Sequence, residues 1–152
     1  MIGWFFAGER AEAIIRRRCA MALAIAVAAV LAGCASPGGL SKDSSAADKE
    51  SAVAERAKAR WQALIKRNYQ EAYGFFSPAS KDTTSLAVFQ AKVAGIDYRS
   101  ASIDKVECVA EVCTVKLTLT YDYPQAKAKG VVTPLDESWV IDKGQAWFAY
   151  RG

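Results

Sequence analysis

The sequence predicts an α+β domain with helices first and about four antiparallel strands after them. Three observations carry this. Between residues 46 and 68, Ala57, Trp61, Leu64, Ile65 and Asn68 recur at helical spacing, while Glu55, Arg56, Lys58, Arg60, Lys66 and Arg67 fill the remaining surface. From Cys113 the period becomes two: Cys113, Val115, Leu117, Leu119 and Tyr121 alternate with Thr114, Lys116, Thr118, Thr120 and Asp122, the pattern of a half-buried strand. Asp142-Lys143-Gly144 then separates two further β-prone segments, with glycine where a tight hairpin favours positive φ.

Taken in order, the first helix begins near 46–49 and ends near Asn68. A second short helix, 70–76, offers Ala72, Tyr73, Phe75 and Phe76 to a core. Ser77-Pro78 stops it, since proline lacks a donor and disfavours helix in the residue before it. Thr84 or Ser85 caps a third helix over 86–93, with Leu86, Phe89 and Val93 on one side. The first strand is expected near 102–109 and the second near 113–122. Residues 125–130 read as a polar loop, and the last strands as 137–141 and 146–150. Pairing Cys108 with Cys113 puts Val106 opposite Val115 and Asp104 opposite Leu117. Ile103 then faces the polar side unless a bulge intervenes.

Upstream of these elements lies a different kind of sequence. Arg16, Arg17 and Arg18 precede an apolar run over 20–32, and Leu31-Ala32-Gly33-Cys34 closes it, followed by Ala35, Ser36, Pro37, Gly38 and Gly39. The run is about 13 residues, within the range of a signal-peptide core and short of the ~20 needed to span a bilayer. The segment resembles the signal and lipobox of a bacterial lipoprotein. That resemblance implies removal of residues 1–33, lipidation of the Cys34 sulfur with three acyl chains on the mature protein, and a palmitate-bearing anchor in the cell envelope. With Ala35 and Ser36 after the cysteine and no aspartate, it implies an outer-membrane address facing the periplasm. Residues 34–48, rich in Ser, Gly and Ala, then form the lipidated cysteine and a flexible tether, and 49–152 the single domain.

Processing would remove four basic and two acidic residues, leaving 16 basic and 14 acidic, a net charge of +2. A mature chain so near neutrality, without a Lys/Arg cluster, is not expected to bind nucleic acid. Of the four cysteines, Cys19 lies in the leader and Cys34 in the lipobox; Cys108 and Cys113 remain. They are expected to face each other across a hairpin and form a structural disulfide in an oxidising compartment. The chain has no histidine. That excludes Ser-His-Asp and Cys-His catalysis and leaves too few ligands for zinc; no metal and no cofactor are expected.

Trp61, the run Asn68-Tyr69-Gln70-Glu71-Ala72-Tyr73, the stop Phe76-Ser77-Pro78, and the ending from Glu137 to Trp147 together resemble the nuclear-transport-factor-two-like superfamily. The resemblance implies a cone: a curved sheet wrapped around a long helix, with an apolar pocket between them. Trp61, Tyr73, Phe76, Phe89, Tyr121, Glu137, Trp139 and Trp147 are the candidate pocket residues; the aromatics among them are first of all core. Parity with Trp139 and Ile141 turns Glu137 inward. Glu137, or Asp104 through its pairing with Leu117, is the candidate base in an isomerase or dehydratase reading, with Tyr73, Tyr98 and Tyr121 as hydroxyl donors. The expected function is instead non-catalytic: a lipid-anchored protein that binds an envelope protein partner or a small apolar ligand at the membrane surface. A homodimer formed through the sheet is the further alternative.

Overall fold

The computed structural model describes residues 39–151; Cys34 and the expected leader lie outside them. The described chain is four α-helices followed by one unclosed antiparallel sheet. Helix α1 spans Ala46–Ile65. Ser45 caps it, its Oγ accepting from the Asp48 amide, and Asp48 lies where the helix dipole favours negative charge. Its inner face buries Val53, Ala57, Trp61, Ala63 and Leu64.

The chain turns after α1 with Arg67 at φ 58°. Asn68 opens the next helix rather than closing this one. It caps α2, Tyr69–Gly74: its Oδ1 accepts from the Glu71 amide and its Nδ2 donates to the Glu71 carboxylate. Ser77-Pro78, expected only as a stop, also starts α3, Pro78–Thr83. Ser77 caps this helix, and Pro78 takes the first position, where a missing N–H is not needed. Helix α4 runs Leu86–Val93 with Ser85 as its cap, as expected.

Strands β1 (Asp97–Val109), β2 (Val112–Tyr123), β3 (Ala128–Asp142) and β4 (Gln145–Phe148) lie in sequence order. β1 starts earlier and β3 is much longer than the sequence pattern suggests, absorbing part of the expected loop at 125–130. Gly130 and Pro134 interrupt the pattern of β3. Yet β4 pairs only with Trp139–Asp142, so most of β3 has an unpaired side, the position where a sheet tolerates proline. The β3–β4 turn is the expected one: Asp142 pairs with Gln145, and Lys143 and Gly144 both have positive φ, 50° and 81°.

The ladder between β1 and β2 contains the bulge that the alternation required. Ile103 pairs with Leu117 and Val106 with Val115, with the register shifting between Ile103 and Lys105. Asp104 therefore does not pair with Leu117 and does not point inward. It is exposed, and its Oδ2 accepts from the Thr118 hydroxyl at 2.7 Å. This corrects its expected inward placement: the bulge spends one residue so that Ile103 can reach the core.

The core lies between α1, the shorter helices and the inner face of the sheet. Trp139, Phe76, Phe89, Leu64, Leu117, Val53 and Val115 are its largest fully buried side chains. Phe76 is an aromatic hub, with ring centroids 4.8 Å from Phe89, 4.8 Å from Tyr150 and 5.4 Å from Phe148. Its neighbours also blunt the sheet edge. The Phe148 amide donates to Phe75 O and the Ser77 amide to Phe148 O, so the α2–α3 junction lies along β4.

Candidate ligand-binding cleft

Trp61 on α1 and Tyr98 on β1 meet edge to face, centroids 5.5 Å apart, at the floor of a cleft between helix and sheet. The cleft has a volume of about 500 Å³ and is walled by Ile96, Leu119, Tyr121 and Leu135, with Lys92 and Gln125 near its polar margin. These residues come from α1, α4, the loop after it, β1, β2, β3 and the 3-10 turn Pro124–Ala126. The tertiary fold alone brings them together. A second, smaller hollow of about 290 Å³ shares Trp61, Tyr98 and Leu135 with the first and adds Arg60, Phe89, Glu137 and Tyr150. Burial pushes the Tyr98 hydroxyl up to about 12, against the opposing pull of the Arg60 charge, so Tyr98 is a neutral donor in this setting.

Beneath the hollow is a buried ion pair. Arg60 Nη1 donates to Glu137 Oε1 at 2.7 Å, with both side chains about 95% or more buried. Glu137 Oε2 accepts from the Trp139 indole at 3.1 Å. The Arg60 guanidinium also lies 3.8 Å over the Phe148 ring. Burial lowers the Arg60 pKa and Glu137 raises it back; an arginine stays charged under such competition. Arg60 Nε and Trp61 Nε1 are buried with no protein partner. Glu137 thus faces inward as expected, but each oxygen is engaged by a donor and neither partner is a tyrosine. A carboxylate engaged at both oxygens in this way is a structural anchor.

Arg60 lies in the core and not on the solvated face that its neighbours Lys58 and Glu55 suggest. The signal was present: residues 57, 60, 61 and 64 follow the spacing of one helical stripe. Arg56 is likewise drawn in, its Nε donating to Ala146 O at 2.5 Å and its guanidinium lying over the Phe75 and Trp147 rings.

The other candidate pocket residues divide. Trp61 and Tyr121 line the larger cleft; Phe89 and Glu137 line the smaller hollow. Phe76 and Trp139 are fully buried core. Tyr73 packs on Phe76 and Phe89 and donates its hydroxyl to Thr84 O at 2.8 Å, away from the cleft. Trp147 does not join the pocket, because Ala146 and Phe148 take the inward positions of β4 and the strand period turns Trp147 to the opposite face. Ile96, Leu119 and Leu135 line the cleft although none is a candidate pocket residue, and Tyr98, expected there only as a hydroxyl donor, joins them; β1 and β3 extend beyond their clear alternating cores to supply Tyr98 and Leu135.

Cys108 and Cys113 face each other as expected, Cα atoms 4.1 Å apart and joined as a disulfide. The ladder continues one pair beyond them, Val109 with Val112, so the turn is the two residues Ala110-Glu111. Among the described residues, no helix is long and apolar enough to cross a membrane.

No protein-family model matches the chain, and no curated protein does. Solved structures do resemble it. A SEC-C motif containing protein from Rhodopseudomonas palustris aligns at 12% identity with a TM-score of 0.51, over 62% of this chain and 73% of that one. Another from Psychrobacter arcticus aligns at 12% identity with a TM-score of 0.53, over 64% of this chain and 59% of its own length. What is shared is the fold. At this identity nothing chemical carries over.

Proposed function

We propose that this protein is a lipid-anchored, non-catalytic component of a bacterial cell envelope that holds a small apolar ligand between α1, α4 and the sheet. The observation that carries the reading is the cleft walled by Trp61, Ile96, Tyr98, Leu119, Tyr121 and Leu135, an apolar concavity with few polar groups. Anchoring rests on the Arg16-to-Cys34 segment and its likeness to a lipoprotein signal. The cone-shaped superfamily resemblance fits the helix-on-sheet arrangement and remains part of the proposal. An isomerase or dehydratase role has no comparable support, because Glu137 is held by Arg60 and Trp139 and Asp104 lies outside the cleft.

Two measurements test this. Mass spectrometry of the mature protein from membranes is expected to find an N-terminal, acylated Cys34, and Cys34→Ala is expected to abolish both cleavage and acylation. An intact, unmodified N-terminus on cytosolic material overturns the anchor. For the cleft, the purified full-length protein is titrated with anilinonaphthalene sulfonate. Dye fluorescence should rise on binding, and Leu135→Asp, at a partly exposed wall position, should weaken it about tenfold, since burying an unpaired charge beside an apolar ligand costs upward of 1.4 kcal/mol. Equal binding by the variant, or none by the wild type, removes the cleft as the site.

A further inference from the structure

We infer that the β1–β2 hairpin tip is a membrane-contacting edge, which Val109 and Val112 press against the lipid surface that Cys34 is anchored in. The inference rests on the lipidation reading above. Val109 and Val112 are 80% and 56% exposed, among the most exposed large apolar side chains described. They pair directly across the ladder and continue through Val140 to Trp147 as one cross-strand row on the outer face.

The tip is held from several sides. The Ile141 amide donates to Glu111 O at 2.8 Å, and Lys49 Nζ donates to Ala110 O at 3.0 Å and to Lys42 O at 2.7 Å. The Cys108 amide donates to the Glu50 carboxylate at 3.3 Å, and the disulfide closes the ladder directly behind the two valines. The cross-link also fixes the local geometry of the strand pair directly behind the tip. A fixed apolar tip loses little freedom on contact.

The chain's path supplies the occupant. The Leu40 amide donates to Gly144 O at 3.0 Å, so the N-terminal segment leaves the fold at the end where both hairpin turns lie. From Cys34 to Leu40 is six residue steps, at most about 20 Å even if fully extended. A lipid on Cys34 therefore keeps Leu40, and with it the end that carries both hairpin turns, within about that distance of the leaflet. The nearby charges are mixed (Glu111, Asp142, Lys143), so the contact is apolar and needs no anionic headgroup. Tyr123 and Gln125 of the ligand cleft lie at the far end of the same ladder, beyond the Asp97–Asp122 pair, and so on the aqueous side.

The test places the mature lipidated protein in nanodiscs of phosphatidylethanolamine and phosphatidylglycerol, with and without a nitroxide on the acyl chain, and reads valine methyl signals by NMR. The Val109 and Val112 methyls are expected to lose most of their intensity to the nitroxide. Val88 and Val132, also exposed but elsewhere on the fold, should keep theirs. Exchanging the valines in the V109S/V112S double variant should bring the amides of the tip back toward the intensity of the reference sites, with the fold intact. If Val109 and Val112 are quenched no more than Val88 and Val132, the docking edge is overturned. If their shifts instead follow the number of copies per disc without quenching, the tip pairs with a second copy and the membrane contact is overturned. The mass of the N-terminal peptide from the same sample separates the two levels: no lipid on Cys34 ends both readings, whereas a lipid with unquenched valines ends only this one.

Discussion

Arg60 illustrates how one side chain changes meaning between helix and fold. On α1 it sits in the core stripe, and the inward carboxylate of Glu137 on β3 makes that position tolerable. Removing either partner strands a buried charge. Arg60→Ala should cost about 3–5 kcal/mol, while pairing Arg60→Met with Glu137→Leu should recover most of the loss. Urea midpoints at constant m-value measure both, and an Arg60→Ala midpoint equal to wild type would show the pair to be energetically neutral. Tyr98 gives a pH signature. Folding raises its pKa to about 12 from near 10, so the folded state holds the proton more tightly. The contribution is fully present below pH 10 and is lost as pH rises through about 12. Tyr98→Phe should flatten the stability profile in that window; an unchanged alkaline slope would mean that another group governs it.

At the scale of elements, turns and bulges set which residues face inward. The bulge at Asp104 exchanges a strand-interior carboxylate for Ile103, and the period of β4 removes Trp147 from the cleft. Both errors of placement share one cause. Alternation gives a strand's two faces, but a single extra residue, or the choice of which parity meets the core, is decided by neighbouring strands. Gly144 shows a local constraint that the sequence does display. At φ +81°, with an added Cβ 3.3 Å from Gly39 Cα, Gly144→Ala should lose about 1 kcal/mol and release the Leu40 pairing. Faster amide exchange at Leu40 and Gln145 checks this, and unchanged exchange would show that the turn accommodates the methyl. The Cys108–Cys113 link closes a short loop and should contribute about 2 kcal/mol in the loop-entropy picture. A Cys108→Ser, Cys113→Ser variant should stay folded while its hairpin tip exchanges faster. Global unfolding under the same conditions would give the disulfide a larger role.

Over the whole molecule, the order of helices and strands was legible from period and capping. Ser85 and the Lys143-Gly144 turn act locally, within a few residues of where they are written, and so does the Cys108–Cys113 pairing. The expected inward face of Glu137 also followed from simple parity. The cleft was not legible in the same way. Its walls come from Trp61, Tyr98, Leu119 and Leu135, separated by up to 74 positions in the chain, and no local pattern marks them as neighbours. Sequence alone determined the α+β order and the hairpin with its cysteines, because each depends on short-range periodicity or on contiguous residue types. Tertiary structure decided that Arg60 neutralises Glu137, that Asp104 and Trp147 turn away, and that an apolar hollow opens beside Trp61. Those outcomes depend on which surfaces meet when helix packs on sheet, and burial energy is settled only there.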